Sequence, residues 1–137
     1  MMSNLATFGA YAAAFEETLA DDDWARLEQY FTEDAVYLPG DGTEAIGRAA
    51  VLATLKDSLD NLDRKSDTRE PIGEMDVSED GDTVTLKFAV RFRKAGVPDL
   101  DLVGVETCEF RDGAIHRMED VIEDIQAMQE YMAAIDA

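Results

Sequence analysis

The sequence predicts one α+β domain, residues 1–137, in which a cone-shaped, curved antiparallel sheet packs on three N-terminal helices and a short helix closes the chain. Two observations predict this class. Apolar residues recur at helical spacing through residues 4–60, whereas from Pro71 onward they alternate with polar residues, as on strands. The length of 137 residues fits a single domain with a core and a pocket.

Three amphipathic helices are predicted, over residues 4–19, 23–32 and 44–60, with a short strand at 35–38 between the second and the third. Candidate N-caps precede the first two helices: Ser3 or Asn4, and Asp22 or Asp23. The second helix runs almost directly into the strand, which a Pro-Gly pair at 39–40 ends. This helix-to-strand stretch is the most informative part of the chain for the fold.

Four antiparallel strands are predicted next, at residues 72–78, 84–92, 100–110 and 114–122. The connections between them contain glycine or proline and lie at residues 80–82, 95–99 and 111–113. A short C-terminal helix is predicted from the spacing of Ile125, Met128, Tyr131 and Met132. A sheet curled around helices in this way can enclose an interior that is apolar at the bottom and open at its mouth.

The composition excludes several classes of function. Twelve basic and thirty-one acidic residues give a net charge of −19, which repels nucleic acid and anionic membranes. Cys108 is the only cysteine, so no internal disulfide can form. The N-terminus lacks a basic signal-peptide region, and no apolar run reaches about eighteen residues. We therefore expect a cytoplasmic protein that neither spans a membrane nor binds nucleic acid.

Strand parity points Glu106 into the interior. The alternate residues of its strand from Leu100 to Phe110 are mostly apolar, whereas the opposite face carries Asp101, Thr107 and Glu109. A three-residue connection at 111–113 would pair Phe110 with Ala114, Cys108 with His116, and Glu106 with Met118. Asp120 would then lie diagonally across from Glu106, with His116, Met118 and Ile122 also facing inward.

Two carboxyl groups in one apolar cavity can act as an acid–base pair. Burial raises a carboxyl pKa, and a neighbouring carboxylate raises one member of the pair further. We therefore predict Asp120 and Glu106 as catalytic residues. The predicted substrate-binding residues are Tyr11, Phe15, Tyr37, Phe88, Cys108, His116 and Met118. In the alternative interpretation both acids are structural, His116 is a satisfied core or rim residue, and the aromatic side chains are plain core.

No metal site and no cofactor are predicted, because one histidine and one cysteine do not supply the three or four ligands that zinc needs.

Three motifs carry a resemblance to a known family. They are Asp23-Trp24-x-x-Leu27-x-x-x-Phe31-x-x-Asp34-Ala35-Val36, Ile46-Gly47-Arg48 and Phe110-x-x-Gly113-x-Ile115. With this order of elements, the chain resembles the SnoaL-like and ketosteroid-isomerase-like branch of the nuclear transport factor 2-like superfamily over nearly its whole length. The resemblance implies the fold strongly and an activity weakly, because the fold hosts isomerases, hydrolases, dehydratases, cyclases and non-catalytic binders.

The functional residues of such families transfer only in part. The three ketosteroid-isomerase positions correspond to Phe15, Pro39 and Glu106, so two of the three functional groups are absent. The Arg-x-Asp motif of the limonene-epoxide-hydrolase relatives is replaced by Arg91-Phe92-Arg93. Asp120 matches the last-strand aspartate of those hydrolases and of SnoaL-type polyketide cyclases, where it is the acid/base of an intramolecular aldol closure.

The outer sheet face carries an apolar centre with a charged rim, which suits a two-fold contact. Relatives dimerise through this face, so the resemblance implies a homodimer. The expected contact residues are Ala89, Arg91, Val103, Val105 and Val121. The alternative is a solvated face with cross-strand ion pairs.

The sequence therefore predicts a protein with a small-molecule pocket, whose ligand is small and largely apolar. The leading hypothesis is an acid–base enzyme of the isomerase, cyclase or hydratase/hydrolase type that acts on a carbonyl compound. In it Asp120 is the base and Glu106 the partner acid. The competing hypothesis is a non-catalytic ligand-binding or dimerisation domain with structural carboxylates.

Overall fold

The computed structural model describes residues 3–136 and confirms the α+β class. Helices cover one face of a curved, unclosed seven-stranded sheet. The helical segments are α1 (Asn4–Asp21), a 3₁₀ helix (Trp24–Tyr30), α2 (Arg48–Ser58) with a π-helical turn (Leu59–Asp63), and α3 (Ile125–Asp136). The strands are β1 (Phe31–Leu38), β2 (Ala45–Ile46), β3 (Thr68–Pro71), β4 (Asp76–Asp80), β5 (Thr83–Lys94), β6 (Val97–Arg111) and β7 (Ala114–Ile122).

Helix α1 begins at the predicted cap and ends two residues later than predicted. The Ser3 hydroxyl accepts a hydrogen bond from the Ala6 amide at 3.0 Å. The helix stops because Asp22 adopts a left-handed conformation, φ 62°, and its amide donates to the Thr18 carbonyl. The buried face of α1 presents Phe8 and Tyr11 to the sheet.

The second predicted helix is a 3₁₀ helix rather than an α-helix. It spans only Trp24–Tyr30 because β1 begins at Phe31, and 3₁₀ geometry suits such a short connector. The predicted cap is also wrong. Asp23 makes no side-chain capping bond, and Asp22 instead accepts a hydrogen bond from the Trp24 indole at 2.7 Å.

Two other elements are divided differently from the prediction. The third helix begins at Arg48, because Ala45–Ile46 pairs with β1 and Gly47, at φ 95°, turns the chain between them. The strand predicted at 72–78 begins only at Asp76, as β4, and a further strand that was not predicted, β3, precedes it; the two pair with opposite ends of β5. The break at residues 72–75 borders the cavity described below.

The sheet is mixed rather than purely antiparallel. Its order is β2-β1-β7-β6-β5-β3, with β4 also paired to β5, and β1 lies parallel to β7. The parallel pair sets Tyr37 opposite Met118 and Leu38 opposite Glu119. It therefore brings the end of β1 beside Asp120, which no strand periodicity indicated.

The predicted register of the last hairpin is wrong. The turn consists of two residues, Asp112 and Gly113, both at positive φ as in a type I′ turn, and not of three. Past the turn, His116 is an extra residue that forms a β-bulge on β7. Glu106 consequently pairs directly with Asp120, and Cys108 pairs with Met118. The two acids are direct cross-strand neighbours and not diagonal ones.

Two apolar clusters form the core. The larger one joins α1, the 3₁₀ helix, β1 and α2 to the turn end of β6 and β7. The smaller one packs α3 and the π-helical turn on the far ends of β5 and β6, through Leu62, Phe92, Leu100, Tyr131 and Ile135. Within residues 3–136, no helix is both long and apolar enough to cross a membrane.

Candidate active site

A cavity of about 540 Å³ lies between the helices and the inner face of the sheet, and both core clusters contribute to its walls. This volume falls in the range of small-molecule sites. Most of the lining is apolar and comes from α1, the α2 region, the sheet and α3. Its apolar members include Phe8, Tyr11, Phe15, Leu55, Leu59, Leu86, Phe88, Val90, Leu102, Met128 and Met132.

Glu106 and Asp120 both line this cavity and face each other across β6 and β7. The Tyr37 hydroxyl donates a hydrogen bond to Oδ2 of Asp120 at 2.5 Å. The other carboxylate oxygen of Asp120, Oδ1, is buried and has no hydrogen-bond partner among the described residues. A buried carboxylate oxygen of this kind needs a hydrogen-bond donor.

Protonation of Glu106 supplies that donor. Burial, followed by the negative charge of Asp120, raises the pKa of Glu106 well above its usual range. Burial also raises the pKa of Asp120, but hydrogen bonds from Glu106 and Tyr37 oppose this rise. These shifts favour the proton on Glu106, as a donor to Asp120, and the negative charge on Asp120.

Two tyrosines flank the acid pair as neutral phenols. Burial and then the neighbouring acids raise the pKa values of Tyr11 and Tyr37 well above the ordinary value. Tyr11 is fixed by aromatic packing, with its ring edge-on to that of Phe31 at a centroid distance of 5.4 Å. Phenols held in this way can donate hydrogen bonds inside the cavity.

The cavity brings together four of the predicted substrate-binding residues with both predicted acids. Tyr11, Phe15, Tyr37 and Phe88 lie in its wall beside Glu106 and Asp120. The Phe15 ring packs edge-on against the Trp24 ring, with their centroids 6.2 Å apart. Their function as ligand contacts remains a prediction, although their placement suits it.

The other three predicted contacts lie outside the cavity wall. Cys108 and Met118 are fully buried in the larger core cluster, where burial raises the pKa of the Cys108 thiol. His116 is the bulge residue, and its Nδ1 lies 3.0 Å from the Glu109 carbonyl oxygen. The bulge reverses the strand parity on which the prediction for His116 rested.

Sequence reasoning missed the rim of the cavity. Glu16, Asp63 and Arg69 line it together although they come from three different elements. Asp63 and Arg69 belong to a polar run that carries no periodic signal. Met128 and Met132, in contrast, lie at helical spacing four residues apart, which could have indicated a shared inward face of α3.

No group of three or more possible metal ligands occurs in the part of the chain that the structure describes.

Comparisons with solved structures show the same fold. A candidate polyketide cyclase from Xanthomonas campestris pv. campestris is 23% identical, with a TM-score of 0.64 over 97% of this chain and 99% of that one. TerC, co-crystallised with polyporic acid, is 20% identical, with a TM-score of 0.71 over 95% and 98%. Bal32a, from a soil-derived mobile gene cassette, is 16% identical, with a TM-score of 0.71 over 95% and 99%.

The sequence comparisons place the chain in a family. No curated protein matches it at a significant level. The sequence profile of the SnoaL-like domain matches residues 12–118, which is most of the chain and ends two residues before Asp120. The fold, its cavity and this match together show that the chain belongs to the SnoaL-like domain family.

Proposed function

We propose that this protein is an acid–base enzyme that removes a proton next to the carbonyl group of a small, largely apolar substrate. Asp120 is the base, and Glu106 is the neutral acid that polarises the carbonyl oxygen. Proton removal of this kind begins isomerisation and aldol-type cyclisation, and it also serves hydration or dehydration chemistry. The candidate cyclase among the similar structures, and the organic ligand co-crystallised with TerC, support a small-molecule function.

The observation that carries the proposal is the setting of the Asp120 carboxylate. Tyr37 donates to one of its oxygens, the other has no hydrogen-bond partner among the described residues, and Glu106 lies directly across the strand pair in the same cavity. A fixed carboxylate beside a neutral acid in an apolar cavity is the arrangement that general acid–base catalysis requires.

Substrate binding would activate the pair. A carbonyl oxygen that enters the cavity competes with Asp120 for the Glu106 proton, and the Tyr11 hydroxyl is a second donor available to it. Loss of the Glu106 hydrogen bond raises the basicity of Asp120, because that bond lowers its pKa. The base thus becomes stronger when the carbonyl becomes more polarised.

Proton exchange tests this proposal without knowledge of the natural substrate. 2-Tetralone, a small apolar ketone, is incubated with the protein in D₂O, and NMR follows loss of its α-protons. We expect Asp120→Asn to slow exchange by about 10²–10⁴-fold and Glu106→Gln by about 10-fold or more, with ketone binding retained. Glu33→Gln, the same change at an exposed residue of β1 outside the cavity wall, should have no effect. Exchange that is unchanged in Asp120→Asn would reject the enzyme hypothesis.

One observation favours a second candidate function. The same hydrogen bonds tie Asp120 to β1 and β6, so the pair could hold three strands together in a non-catalytic binding domain. In that case Asp120→Asn would lower stability and leave α-proton exchange at the buffer rate in every variant.

We also propose the cytoplasm as the site of action, on the single-cysteine argument alone.

A further inference from the structure

A cluster at the cavity rim, here called the rim clamp, consists of Glu16, Asp63 and Arg69. Arg69 Nε lies 2.6 Å from Oδ2 of Asp63, which is mostly buried. The Arg69 guanidinium also lies 3.2 Å from the Glu16 carboxylate through two separate nitrogen–oxygen contacts. The clamp therefore joins α1, the π-helical turn and β3 at one point, and all three of its residues line the cavity.

In the rim clamp, the positive charge of Arg69 is already paired with carboxylates. Among the described residues that line the cavity, Arg69 is the only basic one, whereas Glu16, Asp41, Asp63, Glu106 and Asp120 are acidic. Two carboxylates already compensate the Arg69 charge and use its donors on both edges. An organic anion in the cavity would meet an excess of negative charge without an unpaired counter-charge.

We propose that the cavity selects uncharged ligands and excludes organic anions, and that the rim clamp sets this selectivity by withholding Arg69 from the ligand. The inference rests on the proposed function, because it names the charge class of the same substrate as neutral. The net charge of −19 also repels anions at long range, but it does so over the whole protein and not at the cavity alone. The clamp adds a local determinant that substitutions can remove.

Breaking the clamp should convert Arg69 into an anion receptor. Glu16 is the better first target, because its carboxylate is largely exposed and its loss should not disturb folding. Asp63 is nearly buried, and its contact with Arg69 opposes the rise in its pKa that burial causes. The double variant Glu16→Gln/Asp63→Asn leaves the Arg69 guanidinium without a charged partner from the clamp.

Two fluorescent probes of nearly the same shape test the proposal. N-phenyl-1-naphthylamine is neutral, and 1-anilinonaphthalene-8-sulfonate is the same molecule with an added anionic group. The only tryptophan, Trp24, packs on the cavity residue Phe15, so energy transfer from Trp24 reports binding of either probe. We expect the wild-type protein to bind the neutral probe at least about tenfold more tightly than the anionic one.

The variants assign that preference to the clamp. Glu16→Gln/Asp63→Asn should bind the sulfonate about five- to tenfold more tightly and the neutral probe within about twofold of wild type. Glu16→Gln alone should shift sulfonate binding in the same direction by a smaller factor. The matched control is Glu17→Gln/Asp23→Asn, which removes two carboxylates from Arg26, outside the cavity, with the same change in net charge.

Three results would overturn the proposal: equal affinity for both probes, tighter binding of the sulfonate in the wild type, or an equal gain in the control variant. Failure of the proposed function is seen elsewhere, as α-proton exchange that Asp120→Asn does not change while the preference for the neutral probe persists. If neither probe binds, the selectivity proposal falls, and α-proton exchange alone decides the proposed function.

Discussion

At the scale of the residue, the protonation of Glu106 decides what the cavity can do. Its pKa is raised by burial and by Asp120, so the folded state binds a proton that the unfolded chain releases at an ordinary carboxyl pKa. This difference in proton binding sets the direction in which stability changes with pH. The stabilisation is complete below the unfolded pKa and is lost as the pH rises through the folded pKa.

Glu106→Gln removes this titration and keeps a neutral side chain that can donate to Asp120. We therefore expect the variant to gain stability relative to wild type as the pH rises from 5 to 9. Between the unfolded and the folded pKa the gain should approach about 1.4 kcal/mol per pH unit, and above the folded pKa it should level off. Urea unfolding at each pH measures the difference. Glu33→Gln, at an exposed residue of β1 outside the cavity wall, serves as the control, and an equal pH dependence in both variants would show that Glu106 ionises normally.

At the scale of the element, the inner face of the sheet depends on close approach between β5, β6 and β7. Gly104 lies in β6 between Phe88 and Ile122. A Cβ added there would lie 2.6 Å from the Val121 carbonyl oxygen and 2.9 Å from Cζ of Phe88. The absence of a side chain lets the Phe88 ring lie across β6 as part of the cavity wall.

Gly104→Ala should therefore destabilise the protein by about 1–3 kcal/mol, because neither the carbonyl group nor the packed ring can move freely. Gly9→Ala is the matched control. It lies within helix α1 with no atom within 4 Å of the added Cβ, so the same change should stabilise by up to about 1 kcal/mol. Urea unfolding of both variants checks the pair. A neutral Gly104→Ala would contradict the packing described for β6.

The helices and strands also show how much of this structure the sequence predicts. Periodicity located the helices, the long strands and the inward side of Glu106, because burial of one face imposes it. It could not locate the His116 bulge or the parallel pairing of β1 with β7, because neither leaves a periodic mark. The inward placement of both acids was nevertheless predicted, since Asp120 lies beyond the bulge and keeps its inward parity. The rim clamp was missed because its members meet only through tertiary packing.

At the scale of the whole molecule, charge limits where a second copy can approach. The chain carries −19, but on the outer sheet face acids and bases are interspersed, as in the Arg91–Asp101 pair at 2.7 and 3.0 Å. Exposed Val103 and Val121, the latter 60% exposed, lie beside Val105 and Ala89 through direct strand pairing. We propose this face as the homodimer contact, because it combines exposed apolar area with charges of both signs.

Val121→Asp tests that contact. We expect sedimentation of the wild type at twice the mass of the chain, and of the variant at the mass of one chain, because a charge would be buried without a partner. Ile46→Asp is the control, since Ile46 is equally exposed but lies on β2, away from the outer centre of the sheet. A wild type that is monomeric at all concentrations, or a Val121→Asp variant that stays dimeric, would show that this face is not the interface.

We propose that the two carboxyl groups in the cavity, those of Glu106 and Asp120, are one neutral and one ionised group. Carbon-13 NMR of the side-chain carboxyl groups across pH tests it most directly, with Glu106→Gln and Asp120→Asn assigning the two signals. We predict that at pH 7 the Glu106 carbon retains the chemical shift of a protonated acid while the Asp120 carbon has that of a carboxylate. Two ionised groups with ordinary carboxyl midpoints would contradict the account.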